Sequence, residues 1–238
     1  MNQEGEVKYC NEAKKVFLKH FEYNYSYIKE NLPLLSLFDP DAIHDIRVTS
    51  RRNRALFKEF KVFIPKEIRR KYLKENKNIT RLLGKRRELD VLLEIFSHLK
   101  EENPEIFHPY ISEYIILYIK EKRDKEKKNC LITKQILEKR IEELNLDFGL
   151  QIPEKQCIYE FGRREIFQLI KKLQKKYKQI KKVKEPLNEQ IHKFRILLKK
   201  TRYIFEIYKD IYSNPMTEWL NVLKEVQNHL GVWNDYRI

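Results

Sequence analysis

The chain has 238 residues, 42% apolar and 36% charged, with 50 Lys and Arg against 35 Asp and Glu, giving a net charge of +15. That length supports a sizeable core in one large domain or two small ones, and five glycines are too few for a Rossmann-type or turn-rich β fold, which needs Gly at phosphate loops and tight turns. A positive surplus of this size repels itself and points to an anionic partner: nucleic acid, an acidic membrane surface, an acidic protein or a phosphate polymer.

Apolar periodicity then sets the elements in chain order. Val16, Phe17, Phe21 and Ile28 recur at helical spacing and predict a helix over about 7–30, closed by Asn31-Leu32-Pro33. Asp39-Pro40-Asp41 supplies an N-cap with Pro at the first helical position of a second helix, expected to reach Val62 before Pro65 breaks it. A long helix from Pro65 or Ile79 to Leu99, interrupted near Asn76, ends at Glu102-Asn103-Pro104. An amphipathic segment covers Glu105 to Arg123, the charge run Glu121 to Lys128 reads as a solvated turn, and Leu131 to Leu144 as a short helix. Asn145 to Pro153, with Asp147, Gly149 and Pro153, is the best internal boundary. Glu154 to Lys184 reads as a long helix with an apolar seam of Ile166, Ile170, Leu173, Tyr177 and Ile180. Pro186 begins a helix to about Tyr212, and Asn214-Pro215 begins the last, reaching toward His229. No segment alternates with the period of a strand, so the expected class is all-α.

Cys10, Cys130 and Cys157 are far apart and odd in number, which fits a reducing compartment and neither a disulfide framework nor a zinc knuckle. The N-terminus has no apolar signal region, and no run approaches the ~18 apolar residues that span a bilayer. The expectation is a cytoplasmic protein with no membrane insertion.

One pattern occurs twice without a gap. Ile43-His44-Asp45-Ile46-Arg47-Val48-Thr49-Ser50-Arg51-Arg52-Asn53-Arg54 matches Ile191-His192-Lys193-Phe194-Arg195-Ile196-Leu197-Leu198-Lys199-Lys200-Thr201-Arg202, and Phe57 and Phe205 continue the register. Downstream, Gly84 of Leu83-Gly84 follows His44 by 40 residues, and Gly231 of Leu230-Gly231 follows His192 by 39. An acid stands four places after each Gly, Glu88 and Asp235. Matched spacing at two places indicates an internal duplication. The expected architecture is two helical bundles related by a pseudo-two-fold axis, residues 1–148 and 149–238.

At ~100° per residue, positions 0, 3, 7 and 10 of the pattern fall within an arc of ~80°. His44, Arg47, Arg51 and Arg54 therefore share one helix stripe, extended by Lys58, and His192, Arg195, Lys199 and Arg202 share another, each roughly 15 Å long. Ile43, Ile46, Ser50 and Phe57 fall to one side and can face a core. Adjacent like charges on a helix repel by a few tenths of a kcal/mol per pair, and a polyanion laid along the row would remove that repulsion. Arginine offers forked donors to phosphate oxygens, lysine a point charge, and histidine a donor that strengthens on protonation. A single basic stripe is most often a solvated face; two in the same register, each opening on His, argue for more.

These residues resemble a known family. His44 to Arg54, with Ala55, is similar to the first signature of the CHAD family, the conserved histidine α-helical domain, and His192 through Tyr203 to Glu206 resembles the second. Leu83-Gly84-Lys85-Arg86-Arg87-Glu88-Leu89-Asp90-Val91 is similar to its Leu-Gly-x-x-Arg-Asp-x-Asp-Val pattern, with Glu88 where the family has Asp, and Val226 to Asp235 is similar to the last motif. The resemblance covers about residue 8 to the end. It implies two helical bundles with a basic groove or channel between them, binding of inorganic polyphosphate, and location at polyphosphate granules. Carried over by position, the contact set is His44, Arg47, Arg51, Arg52, Arg54, His192, Arg195, Lys199, Lys200 and Arg202, with Tyr203 at the position that follows the final Arg. Lys58, Lys85 and Arg86 adjoin that set. Family members continue with more helix beyond the fourth motif, so either the second bundle is abbreviated or the sequence is a trimmed one.

Other constellations carry less. Arg164, Lys171, Lys175, Lys178 and Lys182 share a helix face that reads as solvated ahead of a secondary anion wall. His44-Asp45 lacks the further converging ligands of a metal site, and Gly84-Lys85 lacks the upstream glycine and following Ser or Thr of a Walker loop. Glu4-Gly5-Glu6-Val7-Lys8 fits a charged-barrel pattern, but no strands follow it. The expectation is a non-enzymatic binding module without cofactor or metal. A nucleic-acid-binding helical protein is the alternative, because the charge permits it.

Overall fold

A computed structural model describes residues 13–143, 148–150, 157–183, 188–212 and 214–235, side chains excepted at 214 and 232–235. Among these residues every regular element is an α-helix: α1 (Ala13–Ser36), α2 (Pro40–Glu59), α3 (Lys66–Leu82), α4 (Gly84–Glu102), α5 (Pro109–Lys125), α6 (Lys127–Glu142), α7 (Ile158–Lys181), α8 (Asn188–Tyr212) and α9 (Asn214–Asp235). None of them is long and apolar enough to cross a membrane. The expected helix start near residue 7, most of the boundary between Asn145 and Pro153, and the expected start at Pro186 lie outside the described residues.

Helix α1 buries Phe17, Phe21, Tyr25, Ile28, Leu32 and Leu35, a seam at spacings of three and four residues. It runs through Pro33 to Ser36 instead of stopping at Asn31. Pro33 removes one backbone donor in the last turn, and burial of Leu32 and Leu35 on either side outweighs that loss. The chain then leaves through Phe38, at φ 60°. The Phe38 amide donates to the Leu35 carbonyl at 3.2 Å and the Asp39 amide to Leu34 at 3.2 Å, the crossed pair of a left-handed helix end. Asp39 immediately caps α2, its Oδ1 accepting from the Ala42 amide at 2.8 Å, and Pro40 is the first helical residue as expected.

Further element boundaries differ from the sequence reading, for reasons of packing or of ion pairing. Helix α2 ends at Glu59, short of Val62, because Phe60 and Phe63 turn inward and are buried. The break expected near Asn76 falls at Leu83: Asn76 is buried and donates to the Tyr72 carbonyl at 2.9 Å, so α3 continues past it. The charge run at 121–128 is helical except for a one-residue break at Glu126. Its charges pair along the helix, Lys125 with Glu121 at 2.6 Å and Lys127 with Asp124 at 3.2 Å, which supports helix over turn.

The chain divides into two compact units. One contains residues up to Phe21, Ala55–Lys66 and residues from Phe148 onward; the other contains Glu22–Arg54 and Glu67–Asp147. The chain passes from one unit to the other between residues 147 and 148, and segments of α1 and α2 divide between the two units as well. The cause is aromatic packing. Phe17 stacks edge-on to Phe57 at 5.4 Å and Phe148 at 5.2 Å, Phe21 meets Phe148 at 4.6 Å, and Phe63 meets Phe161 at 5.3 Å. These rings draw the start of α1 and the end of α2 into the unit that holds α7, α8 and α9. There α8 packs against both α7 and α9. The core side of α7 is Ile158, Phe161, Gly162 and Leu169, while Tyr177 of the expected seam is exposed. A Cβ at Gly162 would lie 2.6 Å from a Tyr208 ring carbon, so the ring rests on bare backbone. The other unit has an aliphatic core of Ile28, Leu32, Leu35, Ile43, Ile46, Ile79, Leu83 and Leu137 with Cys130.

Candidate functional site

Helix α2 presents the first basic row. Ile43, Ile46 and Ser50 are buried, His44 is exposed, and Arg47, Arg51 and Arg54 are half-buried, as the angular spacing requires. Arg47 is anchored: its Nη1 donates to the Thr80 carbonyl at 2.7 Å, on the last turn of α3. Gly84 makes room for it, since a Cβ there would lie 3.2 Å from the same nitrogen. The Leu-Gly motif thus seats an arginine of the first motif. Burial, then Arg51, lowers the Arg47 pKa to about 10, with Glu88 opposing. Burial and Arg51 lower that of Arg54. Partial desolvation by the surrounding helices, then Arg87, Arg51 and Arg47, hold His44 below its usual range, with Asp45 opposing. Among the described residues Arg51, Arg54 and Arg87 make no ion pair.

Arg87 is the residue the sequence reading missed. It acts on both His44 and Arg47 and so belongs with the first row. The signal was available: Arg87 is the arginine of the Leu-Gly-x-x-Arg motif. Arg86, chosen in its place, is 2% exposed. Its guanidinium donates to the Arg123 carbonyl at 2.8 Å and the Phe38 carbonyl at 3.2 Å and lies 3.4 Å from the buried Asp90 carboxylate. It ties α4 to α5 and to the α1–α2 turn, and is unavailable to a ligand. Lys85 is exposed beside Glu88 at 3.8 Å. Arg52 lies off the row by its helix position, near enough to Tyr27 to act on it; the Tyr27 hydroxyl donates to Asp45. Lys58 is exposed on the last turn of α2, in the aromatic unit.

Helix α8 presents the second row. His192 is exposed and Arg195, Lys199 and Arg202 are half-buried. Arg195 and Arg202 each bury a guanidinium Nε that finds no hydrogen-bond acceptor. Arg202 lies 3.7 Å from Glu206 and 5.1 Å over the Tyr203 ring. Tyr203 itself is 7% exposed, so it supports Arg202 from the core and does not reach a surface ligand. Lys200 is exposed and off the row, close enough to Glu59 to act on it. Glu59 is buried and accepts from the Tyr208 hydroxyl at 2.9 Å. Burial raises its pKa to about 7 against the pull of Tyr208, Lys200 and Lys61.

The residues from 20 to 238 match the family model of the CHAD domain. The chain belongs to the CHAD domain family. This CHAD domain is also similar to the crystal structure of the CHAD domain from the plant Ricinus communis, at a TM-score of 0.66 and 20% identity, over 93% of this chain and 74% of that one. At that identity the likeness speaks for the fold. No curated protein sequence matches the chain. As a CHAD domain it carries both motif helices, α2 and α8, and the Leu-Gly motif at the junction of α3 and α4.

Proposed function

We propose that this CHAD domain binds inorganic polyphosphate along the α2 and α8 rows, as a non-catalytic module. The observation that carries the reading is Arg51 and Arg54: two half-buried guanidiniums on one stripe without an acidic partner among the described residues. Half-burial weakens solvation of their charge, and proximity makes each unfavourable to the other. A phosphate chain supplies an anion at every repeat and planar acceptors that match the guanidinium fork. The buried Nε groups of Arg195 and Arg202, which make no hydrogen bond, leave the second row donors to satisfy as well. The ligand set on this reading is His44, Arg47, Arg51, Arg54 and Arg87 with His192, Arg195, Lys199 and Arg202.

The test is gel-shift or filter binding of long polyphosphate over a salt series. Affinity should fall steeply with salt, as counterions are released, and orthophosphate should compete weakly. Arg51→Glu with Lys199→Glu should weaken binding by roughly 100-fold, the scale of losing desolvated charge contacts, with the helical circular dichroism unchanged. Unaltered affinity in that variant removes the rows from the site. A cytoplasmic, granule-associated location is part of the same proposal, read by a fluorescent fusion against polyphosphate staining.

A second reading, nucleic-acid binding, draws on α7. Lys171, Lys175, Lys178 and Lys182 border one open depression with Gln174 and Gln179, and Lys171 sits 4.3 Å over the exposed Phe167 ring. Cations beside an exposed aromatic suit a stacked single strand. If RNA displaces polyphosphate at equal phosphate concentration, this reading replaces the first.

A further inference from the structure

Helix α5 turns one side into its own unit, burying Ser112 and Ile119 and packing against α4. Over Tyr110–Tyr118 its opposite side is apolar and uncovered, and the ion pair of Glu121 with Lys125 closes that side at the C-terminal end. Tyr110 is 80% exposed, Ile111 60%, Tyr114 70%, Leu117 57% and Tyr118 49%. At ~100° per residue these five fall within an arc of ~120° over consecutive turns. A lone exposed apolar residue is ordinary, but a contiguous patch marks an interaction site.

The charges bordering the patch indicate what covers it. Glu113 and Lys120 lie on the same edge of the face, about two turns or ~10 Å apart along the axis. Both are exposed, and neither makes an ion pair among the described residues. Their neighbours Glu121 and Asp124 are instead engaged by Lys125 and Lys127. Opposite charges placed symmetrically about the middle of an apolar helix face are self-complementary. A second copy of α5 laid antiparallel, with a two-fold axis near Leu117, sets Glu113 of each copy against Lys120 of the other. Tyr114, Leu117 and Tyr118 then fill the centre. A two-fold interface requires this reciprocity, each residue meeting its complement twice. Three tyrosines per copy, each covering roughly 150 Å² when buried, reach with Ile111 and Leu117 the ~1,000 Å² at which specific interfaces begin.

We infer that the chain forms a symmetric homodimer through the exposed face of α5. This interaction surface uses none of the residues of the basic rows, and the inference does not depend on what they bind.

Sedimentation equilibrium and light scattering of the full chain over a micromolar concentration series test it. The unaltered chain should move from monomer to dimer. Tyr114→Glu with Leu117→Glu should leave it monomeric, with helical circular dichroism and polyphosphate affinity unchanged. Glu113→Lys alone and Lys120→Glu alone should each raise the dimer dissociation constant by roughly tenfold, since each sets like charges together twice. The double exchange Glu113→Lys with Lys120→Glu should restore it, a rescue that no partner other than a second copy predicts. A chain monomeric throughout overturns the inference, as does a dimer indifferent to Tyr114 and Leu117, or a double exchange that fails to rescue. If a monomeric chain sediments with anionic vesicles and the Tyr114→Glu, Leu117→Glu variant does not, the face belongs to a lipid surface and the homodimer is wrong.

Discussion

The His44–Arg54 row stands in a unit with an aliphatic core, and the His192–Arg202 row in a unit whose core is a cluster of phenylalanine and tyrosine rings. The two rows repeat one sequence register, but their surroundings differ. The first is buttressed by the next motif: Arg47 is fixed to Thr80 in the space left by Gly84, and Arg87 adds charge from α4. The second carries an acid against its last member, Glu206 at 3.7 Å from Arg202, while Glu189 pairs with Lys193 off the row. Repetition of the cationic spacing therefore did not extend to the counter-charges, and the first row is the more uncompensated of the two.

Substitutions can break or sharpen this contrast, and the cores should respond most. Phe57→Ala removes a fully buried ring that packs edge-on to Phe17, Phe21 and Phe148, and should lower stability by about 4 kcal/mol. Leu35→Ala in the aliphatic core should lower it by about 3 kcal/mol. Urea unfolding followed by circular dichroism reads both, and a change below about 1 kcal/mol in either would dissolve the picture of two packed cores.

Glu59 comes next. Its folded pKa of about 7 lies above the ordinary 4.5, so between those values the folded chain holds a proton that the unfolded chain has released. Stability should fall as pH rises through that window, by about 3 kcal/mol in all, and level off above it. Tyr208, Lys200, Lys61 and Glu165 are the groups that face it. Glu59→Gln should flatten the slope in urea unfolding at pH 5 and pH 8, and a slope that survives assigns it to another group.

His44 sharpens the first row's role in binding. Partial desolvation and three arginines lower its pKa from the usual imidazole value, and a bound polyanion would favour its protonated form. Polyphosphate affinity should therefore rise as pH falls below the usual imidazole range, by up to about tenfold, and His44→Ala should remove most of that rise. Gly84→Ala should do least to the fold. The added Cβ meets only the tip of Arg47, and alanine's better helix propensity offsets the displacement to within about 1 kcal/mol. Polyphosphate binding should nonetheless weaken, because Arg47 loses its seat on Thr80. Unchanged binding would show that the seat has no part in recognition.

The legible part of this protein was what helix geometry makes local. Apolar spacing in Phe17, Phe21 and Ile28, the Asp39-Pro40 start of α2, and the outward set of His44, Arg47, Arg51 and Arg54 all follow from a period of 3.6 residues. The errors came where a non-local contact overrode a local signal. Pro33 does not end α1, because Leu32 and Leu35 find a core. Tyr203, adjacent to Arg202, reads as a site residue in sequence and is buried in the structure.

By itself, then, the sequence determined an all-helical chain, a duplicated cationic register and membership of the CHAD domain family, because charge, period and motif are properties of neighbouring residues. Only the tertiary structure decided that Phe57 and Phe148 gather one end of α1 and α2 into the C-terminal unit. It alone separated Arg86, locked against Asp90, from Arg87 beside His44. Two adjacent arginines are chemically identical in the chain; ~100° of helix rotation puts one in the low-dielectric interior, where it must be paired, and leaves the other with its charge to offer.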